Sequence, residues 1–231
     1  MSSLFLIRHG QASFGADDYD VLSPRGIEQS RALGRHLAAQ GERIDAVYVG
    51  PRRRHADTAA HLAAAAAEAG MPLPAPAAVA ELDEFPAIEM LRLWLPKLAA
   101  EDPELAAAIA SGSPGRAALV AFDKVTRAWA TGSLDVGDLE SFAAFAARVA
   151  RGLDGIMRGE GRGRRVLVVT SGGPISIAVR GCLDLREEAT LRAALALANA
   201  STTEIKWRGG ETTMFGYNHV HYLPRELLTF R

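Results

Sequence analysis

Three short apolar runs in this chain end in the same kind of punctuation. Leu4-Phe5-Leu6-Ile7 runs into Arg8-His9-Gly10, and Ala46-Val47-Tyr48-Val49 into Gly50-Pro51 and then Arg52-Arg53-Arg54. Val166-Leu167-Val168-Val169 runs into Thr170-Ser171-Gly172-Gly173. Continuous apolar runs of this length suit parallel strands covered on both faces. The intervening stretches read as helices. Ser23-Pro24 has the chemistry of an N-cap and a first helical residue, Ile27, Leu33 and Leu37 recur at helical spacing, and Gly41 marks a stop. An alanine-rich helix is expected from about Arg52 to near Gly70, because alanine is the best helix former. Phe142, Phe145, Val149, Leu153 and Ile156 form one apolar stripe of a long helix, and another helix runs from the Gly172-Gly173-Pro174 segment to about Cys182. Alternating strands and helices predict a three-layer α/β/α sandwich with a mainly parallel sheet.

Three further strands are expected: a short one over Val79 to Leu82, and a hairpin of "TTEIKW" and "TTMFGYNHV" joined at Gly209-Gly210. Residues 86–132 read as a helical insertion interrupted by Pro96 and Pro103. The reading is of a single domain over residues 1–231 that carries this insertion. Hydrophobic residues make up 48% and charged residues 23%, ordinary for a globular chain, and the net charge of −1 gives no global pull toward nucleic acid or an anionic membrane. The one cysteine, Cys182, excludes an intrachain disulfide and suits a reducing compartment. The leading apolar run is too short for a secretory signal, and no stretch approaches a membrane span. The expected location is the cytoplasm. No Cys/His cluster has metal-ligand spacing, so neither metal nor cofactor is expected.

Ligands of open parallel sheets bind beyond the carboxyl ends of the strands. If the three runs are neighbours, Arg8-His9, the arginines from Arg52 to Arg54 and Ser171-Gly172 converge on one rim. A neutral imidazole is a capable nucleophile, and nearby cations favour its neutral form. Arginine forks match phosphate oxygens, and helix N-terminal amides add an anion cradle after Ser171. This combination suits phosphoryl transfer. The run Arg162 to Arg165 reads instead as solvated surface.

With "LIRHGQ" at 6–11, "LSPRGIEQSRALGRHL" at 22–37, "GPRRRHADTA" at 50–59, "ELDE" at 81–84, "ESFAAFAARV" at 140–149, "VVTSGGPI" at 168–175 and "ANAS" at 198–201, the chain resembles the histidine phosphatase superfamily, which includes the cofactor-dependent phosphoglycerate mutases. The resemblance implies that His9 is the nucleophile that becomes phosphohistidine. It implies that Arg8 and Arg54 hold phosphate oxygens, whereas Arg52 and Arg53 fall on variable positions. Glu84 falls on the proton donor, with Glu81 the second choice. Three departures stand out. The family's second histidine, in "SHGG", is Ser171 here. The asparagine a few residues after "RHG" is replaced by Ser13 or Gly15, and "FPAIEM" replaces the tryptophan-containing motif after the acid.

Ser171 is expected both to cap its helix and, with the Gly172 amide, to contact phosphate. His219 and His221 read as core or rim packing, though either is a candidate to stand in for the missing histidine. His36, His55 and His61 read as helix-surface residues. The function implied is a phosphomonoester hydrolase acting on a small-molecule phosphate ester through phosphohistidine, with no nucleic-acid or membrane partner. Alternatives are a mutase-like phosphotransferase and a weak pseudoenzyme that binds phosphate esters.

Overall fold

The computed structural model describes residues 1–13, 20–41, 43–111, 115–159 and 162–230. Strand β1 (Ser2–Arg8) is followed by α1 (Pro24–Gln40), β2 (Ala46–Val49), α2 (Arg53–Glu68) and β3 (Pro76–Ala78). After a 3-10 turn at Ala80–Leu82 come α3 (Ala87–Glu101), α4 (Pro103–Ala110), α5 (Gly115–Ala130) and α6 (Phe142–Met157). Strand β4 (Arg165–Thr170), α7 (Gly172–Leu183), α8 (Glu187–Ala196), β5 (Thr202–Arg208) and β6 (Glu211–His219) complete the order, with a last 3-10 turn at Arg225–Leu227.

Alternation along the strands decides the layering, because successive side chains point to opposite faces. Leu4 and Leu6 of β1, with Val166 and Val168 of β4, enter one apolar cluster together with Phe145 and Val149 of α6 and Ile175 of α7. Phe5, Ile7, Leu167 and Val169 enter the opposite cluster with Leu33 and Leu37 of α1 and Leu62 of α2. Both faces of the sheet are therefore covered, as the unbroken apolar runs require.

The strand order is β3-β2-β4-β1-β5-β6. β1, β2, β3 and β4 pair in parallel, and β5 and β6 add antiparallel at one edge. β4 lies between β2 and β1, so the carboxyl ends of the three apolar runs are neighbours. Ser23 caps α1 by accepting from the Gly26 amide at 3.1 Å, Pro24 opens that helix, and Gly41 closes it at φ 65°. Gly209 and Gly210 turn the β5–β6 hairpin at φ 59° and 89°, a region open to glycine.

Two sequence expectations change. The short strand lies at Pro76–Ala78, and Val79 to Leu82 leaves the sheet edge in a 3-10 turn. The turn carries Leu82 into the core, where its carbonyl accepts from Thr170 Oγ1 at 2.7 Å at the end of β4. Pro96 does not interrupt α3, which runs through it. Pro96 and Arg92, whose carbonyl loses its helical donor, both lie on the exposed side of the helix, where the lost bond costs less than it would in the core. Pro103 does separate two helices, opening α4 after the Asp102 cap. Residues 112–114 of the expected insertion, and Gly161, lie outside the described residues.

Candidate active site

His9 follows the last residue of β1. Its amide donates to the Thr170 carbonyl of β4 at 2.9 Å, and its own carbonyl accepts from the Ala200 amide and from Asn199 Nδ2 at 3.2 and 3.3 Å. The backbone is thus tied on two sides before the side chain is considered. Gly10 is needed less for a sharp turn than for close approach: a Cβ there would lie 2.4 Å from the Gly26 carbonyl oxygen of α1.

The imidazole of His9 is 5% exposed. Nδ1 lies 2.7 Å from the Gly10 carbonyl, and Arg54 Nε donates to Nε2 at 3.1 Å. An acceptor on one side and a donor on the other assign the ring proton to Nδ1 and leave the lone pair on Nε2. Burial, then the charges of Arg54 and Arg8, hold its pKa well below the usual 6.5, against the pull of the Gly10 carbonyl. The ring is neutral at pH 7, with a bare nitrogen facing a cation.

Arg54 lies in the first turn of α2 and is buried. Besides His9, its Nη1 pairs with Asp20 Oδ1 at 2.6 Å and its Nη2 donates to Ser171 Oγ at 3.3 Å. Asp20 also accepts from the Arg53 amide at 2.8 Å, putting a carboxylate at the positive end of α2. Thr58, one turn on, accepts from the Gly10 amide at 3.0 Å and donates to the Arg54 carbonyl at 2.7 Å, so it ties the helix to the strand end.

His55 corrects the sequence reading. It is fully buried, not on the helix surface, with Nε2 2.7 Å from Ser171 Oγ and its ring centroid 5.7 Å from that of His9. Burial first, then Arg54, hold its pKa well below 6.5. The spacing carries the signal: His55, Ala59, Leu62 and Ala66 share the buried face of α2. Ser171, also fully buried at the β4–α7 junction, does not cap its helix; its hydroxyl is engaged by Arg54 and His55 instead. His219 and His221 are exposed, with ring contacts to each other, to His36 and to Tyr222, and His36 is half-buried against Tyr222.

Glu84 leaves the Ala80–Leu82 turn toward α7. Its carboxylate accepts from the Phe85 amide at 3.1 Å and from the Gly173 amide at 3.3 Å. Gly173 is obligatory for this approach, since a Cβ there would lie 2.0 Å from Glu84 Oε1. Burial raises the Glu84 pKa from its usual 4.5, opposed by the two amides and by Arg54 and Arg8. The base of the Glu81 side chain lies against Gly152 of α6. Phe85 fixes the segment by stacking on Trp129 at 4.8 Å and meeting Phe145 edge-on at 5.8 Å.

Arg8 reaches toward the chain's end. Its Nη1 donates to the Leu197 carbonyl, and to that of Phe230 at 3.1 Å. Gln29 holds the same tail through the Leu227 carbonyl at 2.6 Å, and Asn199 through Thr229 at 2.8 Å. Both residues were missed in the sequence reading; Asn199 lies in the quoted "ANAS" stretch. Gly172 opens α7 beside Ser171. Of the two positions in place of the family asparagine, Ser13 bonds its amide to the Val21 carbonyl at 2.8 Å, and Gly15 lies outside the described residues.

A cavity of about 390 Å³ borders Glu84, with Arg52, Asp83, Pro86, Glu89 and Arg148 in its wall. Among the described residues no group of three or more His, Cys, Asp or Glu side chains is placed to hold a metal, and no helix is long and apolar enough to cross a membrane.

No curated protein matches this sequence. Solved structures do match the fold over nearly its whole length. YhfR of Bacillus stearothermophilus is 20% identical, with a TM-score of 0.68 and coverage of 96% of this chain and 99% of that one. A putative alpha-ribazole-5'-P phosphatase from Escherichia coli is 21% identical, with a TM-score of 0.63 over 95% and 98%. Phosphoserine phosphatase from Entamoeba histolytica, solved with 3-phosphoglyceric acid, is 19% identical, with a TM-score of 0.64 over 97% and 100%. The family model described as histidine phosphatase superfamily (branch 1) matches residues 4–220, a span that runs from β1 past β6 and takes in His9, Arg54, Glu84 and Ser171. On that match, the chain belongs to the histidine phosphatase superfamily.

Proposed function

We propose that the protein is a phosphomonoester hydrolase that works through a phosphohistidine on His9. The observation that carries this reading is the state of His9: buried, neutral, with Nδ1 held by the Gly10 carbonyl and the lone pair of Nε2 facing Arg54 at 3.1 Å. The ester's phosphoryl group displaces the Arg54 contact and meets Nε2 in line. Nε2 forms a bond to phosphorus as the ester P–O bond breaks. Arg54 and Arg8 stabilise the equatorial oxygens, with Ser171 Oγ and the Gly172 amide beside them.

Glu84, its pKa raised, gives its proton to the departing alkoxide, which is a poor leaving group without it. The alcohol leaves toward the cavity beside Glu84. Water then attacks the phosphohistidine, the Glu84 carboxylate accepts a water proton, the P–N bond breaks and inorganic phosphate departs. The arginines supply the positive charge, so the mechanism routes no step through a metal or cofactor. A small phosphate ester is the fitting substrate class for a cavity of this size.

The purified protein is expected to hydrolyse p-nitrophenyl phosphate and small alkyl phosphates. His9→Ala, which removes the nucleophile, should bring the rate to background. Turnover near the wild-type rate in His9→Ala would sink the mechanism.

A further inference from the structure

We propose that His55 is a positioning residue that turns Ser171 into a hydrogen-bond donor for the phosphoryl group, so that the pair does the work of the imidazole missing at position 171. The inference rests on the phosphatase reading above and adds to it a residue that no motif assigned.

The argument counts hydrogen bonds. A serine hydroxyl offers one proton and two lone pairs. Arg54 Nη2, which can only donate, takes one lone pair of Ser171 Oγ at 3.3 Å. His55 Nε2, at 2.7 Å, either donates to the second lone pair or accepts the hydroxyl proton. If it accepts, Oγ turns a lone pair toward an anionic phosphoryl group, which repels it. If it donates, both lone pairs are filled and the hydroxyl proton is left for the phosphoryl oxygen. A site for a dianion selects the second arrangement, with the His55 proton on Nε2 and Nδ1 bare.

The surroundings of Nδ1 pull both ways. It has no partner of hydrogen-bonding geometry among the described residues, and a buried unpartnered N–H is the rarer and costlier alternative to an unfilled acceptor. The Gly50 backbone, packed against this nitrogen, favours a proton there and opposes this tautomer, so the contact with phosphate has to outweigh it. Burial and the charge of Arg54 keep the ring neutral, so it holds one ring proton and the tautomer decides what Ser171 can do. The space is also settled. Ser171 is fully buried against His55, so an imidazole introduced at 171 fits only if the one at 55 is removed.

The test is a mutant cycle read with two probes, p-nitrophenyl phosphate for kcat/KM and inorganic phosphate for binding. Ser171→Ala and His55→Leu should each lower kcat/KM by about tenfold, the scale of one hydrogen bond to a charged group. The double variant should be no worse than either single, because both remove the same donor. His55→Gln, whose amide N–H can still donate to Oγ, should recover most of the loss, and the double exchange His55→Ala with Ser171→His should recover activity that Ser171→His alone lacks. Losses that multiply to about a hundredfold would show two independent residues and overturn the proposal. So would a His55→Gln as weak as His55→Leu.

Nitrogen NMR of the intact protein with inorganic phosphate provides a reading that needs no variant. The expected signature is a neutral His55 with its proton on Nε2, and a proton on Nδ1 would overturn the assignment. Failure of the phosphatase reading is distinguishable: the wild type would then hydrolyse no ester, while phosphate binding across the same variants would still report on the pair.

Discussion

His9, Arg54, His55 and Ser171 are at most 6% exposed and are joined in one hydrogen-bonded cluster, whereas Glu84 is half-buried and opens on a cavity lined by charged side chains. The two sides are built from different parts of the fold. The buried cluster hangs on the ends of β1, β2 and β4, three neighbouring parallel strands with helices on both faces. Glu84 hangs on a turn and leads into α3, which exposes Ile88 and Leu93. The difference teaches a division of labour. Where His9, Arg54 and Ser171 are each held by two or three partners and His55 is fully buried against Ser171, geometry is fixed, as the proposed phosphoryl transfer requires. Where the wall is a turn and a half-exposed helix, sequence can change to suit the alcohol of the proposed reaction without disturbing the proposed nucleophile.

The largest expected effect breaks the buried side. Arg54→Ala removes the donor that faces His9, Asp20 and Ser171 together, and kcat/KM should fall about 10³-fold, the scale for losing a preorganised charge donor. Arg54→Lys should recover only part of this, because an ammonium lacks the fork that reaches three partners. Steady-state kinetics of both variants check this, and full recovery with lysine would mean that charge alone matters on this side.

The open side should respond selectively. Glu84→Gln is expected to slow alkyl phosphates by about 10²-fold or more and p-nitrophenyl phosphate much less, since an activated aryl oxide leaves without a proton. Equal slowing of both esters would erase the contrast between the sides and move the proton donor elsewhere.

The smallest effect is on stability. His9 and His55 stay neutral in the folded protein with pKa values well below 6.5, while in the unfolded chain they take up protons near 6.5. The unfolded state therefore binds more protons below that pH, and stability falls as pH drops from about 6.5 toward the lower folded values. The melting temperature should decline over this window, and less steeply in His55→Gln. An unchanged decline in that variant would place the titration outside the buried cluster.

The sheet and its rim were legible because their signals are local. Each apolar run is its own strand, and each stops where the polar cluster begins. Ser23-Pro24 and Gly41 marked the bounds of α1 by their backbone chemistry. What escaped notice depends on contacts between distant segments. His55 looks like a surface residue until α2 is laid on the sheet, although its spacing to Ala59 and Leu62 already put it on the inner face. Ser171 looked like a helix cap because serine does that well locally; two basic side chains from α2 claim its hydroxyl instead. Asp20 and Gln29 act on backbone and side chains that no sequence spacing relates to them. Pro96 broke a local rule on the exposed side of α3.

The most direct test is to identify which atom carries the phosphoryl group during turnover. A labelled ester mixed with enzyme for a few milliseconds, quenched in base and digested, should give one labelled peptide. The account predicts base-stable, acid-labile label on His9, formed and lost at rates that match turnover and absent in His9→Ala. Acid-stable label on Ser171, or hydrolysis with no labelled protein at all, would contradict it.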